Sequence, residues 1–277
     1  MLAENPTMTF ANTSDTFRAD SRQSKMANRL MQALDQKGLK LVYQPEIDLH
    51  SREVSSLEAL CRWHDEELGP VAPDEFIAVA EARGLIVQVG EYLLRQVLSD
   101  LPSLLQRWPQ ARVAINASGL ELALPDFAQR MRATLEATDL QLARHLELEV
   151  TESVFHHNLP VVRQNLLDLR ELGMTVAIDD FGTGQSSLAR LHTLPFDKIK
   201  LDRNFVQALE DPLVQAIVKA MVELAQNFSR TLVVEGIETP AQLAQLVALG
   251  CRMGQGYLLC RPCALSDLPD QPHWPTP

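Results

Sequence analysis

Glu58, Asn116, Glu149, the adjacent pair Asp179 and Asp180, Lys200 and Glu235 all stand within or at the ends of short apolar segments. A buried strand needs no acid there. Taken singly, each is as readily a solvent-facing residue as a ligand. Together they offer carboxylates and one amide oxygen with no Cys or His beside them, a hard-donor set that suits Mg²⁺ or Mn²⁺ rather than structural zinc. Without a cation such a cluster repels itself and its carboxyl pKa values rise. Adjacent carboxylates such as Asp179 and Asp180 can serve two ions, or bridge them, at the roughly 3.5–4 Å separation of two-metal phosphoryl chemistry. Lys200 adds a point charge able to hold an attacking water or neutralise phosphate.

Positioning these groups at one place requires a particular architecture. Strand-like segments are expected at Leu41–Ile47, Ser55–Trp63, Arg112–Ala117, His145–Val150, Thr175–Asp179, Lys198–Leu201, Thr231–Glu235 and Met253–Tyr257. Helical patterns lie between most of them, as at Pro73–Arg83, Val87–Gln106, Pro125–Glu136, Leu159–Leu172, Leu213–Gln226 and Pro240–Leu249. Repeated strand then helix over this length points to α/β, a modified (β/α)8 TIM-like barrel, in which strand ends converge on one mouth. An open doubly wound sheet is the alternative, and no Gly-rich dinucleotide loop supports it. The turn around His50-Ser51 is too short for a crossover helix, so an antiparallel first strand is expected.

The chain has 277 residues, 46% of them hydrophobic, with 25 Lys plus Arg against 36 Asp plus Glu and a net charge of -11. That field repels polyanions, so no DNA or RNA polymer is expected as a partner. No apolar run reaches the ~18 residues of a membrane span and no signal-peptide core is present, which predicts a cytoplasmic location and no membrane insertion. Cys61, Cys251, Cys260 and Cys263 read as reduced thiols, the single Cys260-Arg261-Pro262-Cys263 being a weak metal or redox signal. Residues 1–24 are polar and aperiodic and read as a disordered tail; 25–40 as a lead-in helix; 41–265 as the barrel; 266–277 as a C-terminal tail.

Tyr43-Gln44-Pro45, Leu57-Glu58-Ala59-Leu60 with Arg62-Trp63, Asn116-Ala117-Ser118, Glu149-Val150-Thr151-Glu152-Ser153, Asp179-Asp180-Phe181-Gly182-Thr183-Gly184, Lys200-Leu201-Asp202-Arg203, Glu235-Gly236-Ile237-Glu238-Thr239 and Gln255-Gly256-Tyr257 follow one another in the order of the EAL-domain family. The chain resembles that family from about Leu41 to Pro262. The resemblance implies a phosphodiesterase that hydrolyses cyclic di-GMP to linear pGpG with two ions of Mg²⁺ or Mn²⁺, usually as a homodimer. It implies Glu58, Asn116, Glu149, Asp179, Asp180 and Glu235 as metal ligands, with Glu235, Lys200 and Glu58 catalytic. Gln44, Leu60, Arg62, Asp202, Glu238 and Gln255 would lie near the substrate, and Glu152 would brace the loop Phe181–Ser187. Relatives that have lost ligands serve as receptors without turnover; here the ligand set is complete, which favours the enzyme. The chain departs from the family at Gln185, Val234 and Cys61, none of them a ligand.

Overall fold

The computed structural model describes residues 13–182 and 188–270. β1 (Leu39–Asp48) and β2 (Val54–Asp65) form the antiparallel pair expected around His50. Asp48 ends β1: its Oδ1 accepts the backbone N–H groups of His50 and Ser51, and Arg252 Nε donates to Oδ2 at 2.7 Å. A carboxylate that captures the next backbone donors favours the turn, which backbone bonds from Asp48 N to Glu53 O and from Arg52 N to Asp48 O complete. β3 (Gly69–Val71) is a short hairpin partner of β2. β4 (Arg112–Ala117), β5 (Leu146–Thr151), β6 (Thr175–Phe181), β7 (Lys198–Leu201) and β8 (Thr231–Val234) run parallel to one another, with β4 parallel to β2. β9 (Met253–Gly254) joins β8 in parallel and β1 in antiparallel fashion and so closes the ring. The barrel with an antiparallel first strand is therefore present, with β3 outside it.

Alternation along the strands sorts two chemistries. Val113, Ile115, Leu146, Leu148, Val150, Val176, Ile178, Ile199 and Leu201 join the main buried apolar cluster under the helices. The positions between them carry Ala114, Asn116, Glu147, Glu149, Ala177, Asp179, Lys198 and Lys200 and face the barrel interior. The runs Val113-Ala114-Ile115 and Val176-Ala177-Ile178 look continuously apolar because the inward residue of each is a small alanine.

The helices are α1 (Thr13–Asp35), α2 (Pro73–Ala82), α3 (Ile86–Arg107), α4 (Gly119–Leu122), α5 (Phe127–Glu136), α6 (Leu159–Glu171), α7 (Arg203–Gln207), α8 (Pro212–Asn227) and α9 (Pro240–Ala248). Asp202, Asp211 and Thr239 cap α7, α8 and α9 through their side chains, satisfying donors that would otherwise be orphaned. α1 begins at Thr13 rather than Lys25, so residues 13–24 are helical and the expected tail is shorter. Met26, Leu30 and Ala33 bury against Trp63, Val71 and Phe76, and each large side chain so buried stabilises by roughly 1.5–3 kcal/mol. Once that part is docked, adding helical residues on its N-terminal side costs little. At the other end Leu268 is buried and Arg107 Nη2 donates to its carbonyl at 2.5 Å. The chain is thus packed beyond residue 265; residues 1–12 and 271–277 lie outside the described ones. The last barrel strand stops at Gly254 instead of Tyr257, because the chain turns over Ile237. No helix among the described residues is long and apolar enough to cross a membrane.

Candidate active site

Lys200 on β7 is fully buried, and four acids converge on its Nζ. Glu235 Oε1 lies at 2.7 Å, Glu149 Oε1 at 2.9 Å, Glu58 Oε2 at 3.4 Å and Asp179 Oδ1 at 3.5 Å. An ammonium has three protons and one charge, too few for four carboxylates. Accordingly both oxygens of Glu149 and Oδ1 of Asp179 are buried without an aligned hydrogen bond, a cost that further positive charge would remove.

Glu58 is the best satisfied of the four. Asn116 Nδ2 donates to its Oε1 at 3.0 Å and Gln255 Nε2 to its Oε2 at 2.9 Å. With its amide nitrogen committed to Glu58, Asn116 keeps its amide oxygen as an acceptor. Carboxylate oxygens of Glu58, Glu149 and Asp179 lie within 4.8 Å of one another, and so do those of Asp179, Asp180 and Glu235. The two trios share Asp179, which suits two neighbouring cation positions bridged by one carboxylate. Asp180 is held at φ 52, a left-handed backbone that turns adjacent carboxylates out of strand alternation.

Electrostatics agree with an anion-rich hole. Burial and then the neighbouring Glu58 and Asp179 drive the Glu149 carboxyl well above the usual range, against the pull of Lys200. Burial raises Glu235 to about 8, and burial with Asp179 and Asp202 raises Asp180 to about 6. Burial opposes ionisation of Glu58 too, yet Lys200, Gln255 and Asn116 together hold it below its ordinary value. The donor chemistry, the orphaned oxygens and the raised carboxyls fit divalent cations.

Two clefts open on either side of this layer. One, of about 360 Å³, is lined by Glu58, Leu60, Arg62, Asn116, Asp179 and Asp180 among others. The second, of about 170 Å³, is lined by Gln44, Glu58, Arg203, Glu235, Glu238 and Gln255, with Tyr257 at its edge. Glu58 borders both. Gln44 is steadied by its bond from Nε2 to the Cys260 carbonyl at 3.0 Å. Asp202 borders neither cleft; its Oδ1 accepts the Asn204 N–H at 2.9 Å. Glu152 Oε1 accepts the Gly182 N–H at 3.2 Å, while Thr183–Ser187, including Gln185, lie outside the described residues. Arg203, present in the Lys200-Leu201-Asp202-Arg203 block but given no role from sequence, lines the second cleft; Glu46, Glu147 and Lys198, buried polar residues two positions from Gln44, Glu149 and Lys200, are not singled out by the sequence at all.

Residues 27–262 match the EAL domain family. The chain is 42% identical over 252 residues to the cyclic di-GMP phosphodiesterase NbdA of Pseudomonas aeruginosa, covering 90% of this chain and 32% of that protein. In the same organism, the bifunctional diguanylate cyclase/cyclic di-GMP phosphodiesterase MucR is 37% identical over 251 residues, covering 89% of this chain and 36% of that protein. The chain thus spans about a third of the length of these relatives. A solved structure of the MucR phosphodiesterase in complex with c-di-GMP superposes with a TM-score of 0.81 at 36% identity, covering 88% of this chain and all of that one. The c-di-GMP-bound EAL domain of FimX from Pseudomonas aeruginosa gives 0.78 at 25% identity, covering 89% and 99%.

Proposed function

Because the chain belongs to the EAL domain family, we propose that it is a phosphodiesterase that uses Mg²⁺ or Mn²⁺ to hydrolyse cyclic di-GMP to linear pGpG. The observation that carries this reading is the acid-lined layer around Lys200 lying between two clefts that share Glu58. A cyclic dinucleotide has a nucleoside on each side of every phosphodiester, and this arrangement gives each side a place. Glu58, Asn116, Glu149 and Asp179 would hold one cation, and Asp179, Asp180 and Glu235 a second. Such ions supply charge neutralisation at the phosphate and a lower pKa for the attacking water. Lys200 draws the acids to one point and, as a fixed buried ammonium, offsets part of their mutual repulsion. Glu235, with one carboxylate oxygen toward the second cation, would accept a proton from the attacking water with the other; the water oxygen bonds to phosphorus, the P–O3′ bond breaks, and the proton held by Glu235 passes to the departing O3′. Gln44, Leu60, Arg62, Glu238 and Gln255 line the places for the nucleosides, while Asp202 supports the site by capping α7 next to Asp180. The net charge of -11 is no obstacle, since bound ions invert the sign at the mouth.

Nucleotide chromatography after incubation with cyclic di-GMP tests this. Linear pGpG is expected with Mg²⁺ or Mn²⁺, none in excess chelator, and inhibition by Ca²⁺, whose longer bonds and higher coordination number spoil a site built for a small ion. Turnover undiminished by chelator overturns the metal reading, and tight binding without any pGpG makes the chain a receptor.

The raised carboxyls set a pH dependence. Glu235 binds its proton up to about pH 8 in the folded state and releases it far lower when unfolded, so the folded state holds more protons between about pH 4.5 and 8. Metal-free stability should therefore fall as pH rises through that window. Cations compete with those protons, so the rise in Tm caused by Mn²⁺ should be larger at pH 8 than at pH 6. Thermal melts at both values check the sign.

Glu152 would brace the segment that follows Asp179 and Asp180. Glu152→Gln keeps every ligand but weakens a charge-assisted bond to Gly182, so the Mn²⁺ concentration for half-maximal rate should rise several fold. Superimposable Mn²⁺ titrations of wild type and variant would retire that role.

A further inference from the structure

One step deeper in the barrel lies a second ionic layer that the proposed reaction does not use. Lys198 Nζ sits 2.5 Å from Glu46 Oε2 and 2.5 Å from Glu147 Oε1, and donates to Ser56 Oγ at 3.2 Å. Ser56 Oγ also donates to Glu46, and Thr175 Oγ1 donates to Glu147 Oε2 at 3.0 Å. Glu46 is fully buried, with its Oε1 lacking a partner, and Glu147 and Lys198 are nearly so. Each member stands two residues from a group of the upper layer: Glu46 from Gln44, Ser56 from Glu58, Glu147 from Glu149, Lys198 from Lys200. Two residues along a strand is the same face, one level down.

A barrel interior is ordinarily filled by branched apolar side chains, and replacing a buried ionic triad with such residues is often neutral or stabilising. Stability therefore gives no reason for this layer. Its geometry gives one: it ties β1, β2, β5 and β7 by directional bonds directly beneath the residues those strands present to the cations. Glu46, Glu147 and Glu149 also bring carboxylate oxygens within 4.8 Å of one another, so the layer with its two acids and one ammonium places an unbalanced negative charge under Glu149.

We propose that Lys198, with Glu46 and Glu147, is a positioning residue for divalent-cation binding, fixing the strand spacing and supplying negative potential below the site. This rests on the phosphodiesterase reading only in that the upper layer binds cations. The test is the Mn²⁺-induced rise in Tm, followed by Mn²⁺ dependence of the initial rate, in the full chain. The triple substitution Glu46→Gln, Glu147→Gln, Lys198→Met removes all three charges without stranding one. Its metal-free Tm should stay near that of wild type, while the Mn²⁺ requirement rises about tenfold, the scale of lost outer-shell support, with KM for the nucleotide little changed. Glu46→Gln alone keeps the Lys198–Glu147 pair and should give a smaller shift in the same direction, and it decides the matter if the triple variant does not fold. Wild-type Mn²⁺ curves in a folded variant overturn the proposal, as does a fall in Tm with unchanged Mn²⁺ requirement. Absence of any Mn²⁺ effect on wild-type Tm overturns instead the metal-dependent reading of the upper layer.

Discussion

Lys200→Met should lower the melting temperature of the metal-free protein at pH 8 by on the order of 10 °C and abolish turnover. Removing one partner from a buried ion pair costs about 3–5 kcal/mol, and each kcal/mol moves Tm by roughly 2–4 °C in a protein of this size. Here a single ammonium stands against four carboxylates at 2.7–3.5 Å, so its loss strands the whole set. Stranded acids take up protons, and the deficit should therefore shrink at pH 6, where fewer are ionised. Mn²⁺ should restore part of the lost stability without restoring activity, because a cation replaces the charge and not the position of Nζ. Circular dichroism melts at the two pH values, with and without Mn²⁺, measure all of this. A variant that melts within about 2 °C of wild type at pH 8 would show that Lys200 is not the hub of the cluster.

The second large effect belongs to Glu58. Glu58→Ala takes one oxygen-bearing group from the trio with Glu149 and Asp179 and removes the acceptor of both Asn116 and Gln255. Turnover should fall on the order of 10³-fold, the scale of losing one preorganised electrostatic group at a reacting centre. The fold should survive, since Glu58 faces the clefts and Lys200 retains three acids. Glu58→Gln separates charge from shape: it fills the same space and should be nearly as inactive, because an amide oxygen is a weaker cation ligand than a carboxylate. Initial rates at saturating Mn²⁺, with melts as the control for folding, give the answer. Activity within a few fold of wild type in Glu58→Ala would remove Glu58 from the ligand set.

The upper layer was legible in the sequence because its residue types conflict with their surroundings. Asp179-Asp180 after Val176-Ala177-Ile178, or Glu235 after Val233-Val234, has no packing explanation. The lower layer was not legible because Leu146-Glu147-Leu148-Glu149 and Lys198-Ile199-Lys200 look like any half-exposed strand: alternation distinguishes two faces and does not say that the polar one is enclosed by a ring. Closure of the sheet is a property of all the strands together. Asp202 carries the other lesson. An Asp just before a helix serves its own backbone first, and here it caps α7 while contributing charge beside Asp180. The start of α1 was not legible because residues 13–24 carry no apolar period; their helicity is inherited from the docked turns that follow.

The reversed direction of β1 changes which end of the barrel faces its incoming chain. In an all-parallel barrel the segment ahead of the first strand arrives at the floor, a full barrel height from the strand ends that carry chemistry. Here Leu39, the first residue of β1, pairs with Trp63 near the far end of β2, so α1 and its connection enter at the rim, on the same side as Arg62. A rotation or tilt of α1 would be felt first by Phe76 of α2 and by Trp63 and Asp65, the latter two on the same hydrogen-bonded strand as Glu58. The barrel thus has a short lever arm between its N-terminal helix and its acids, and no rearrangement of the floor is needed to work it.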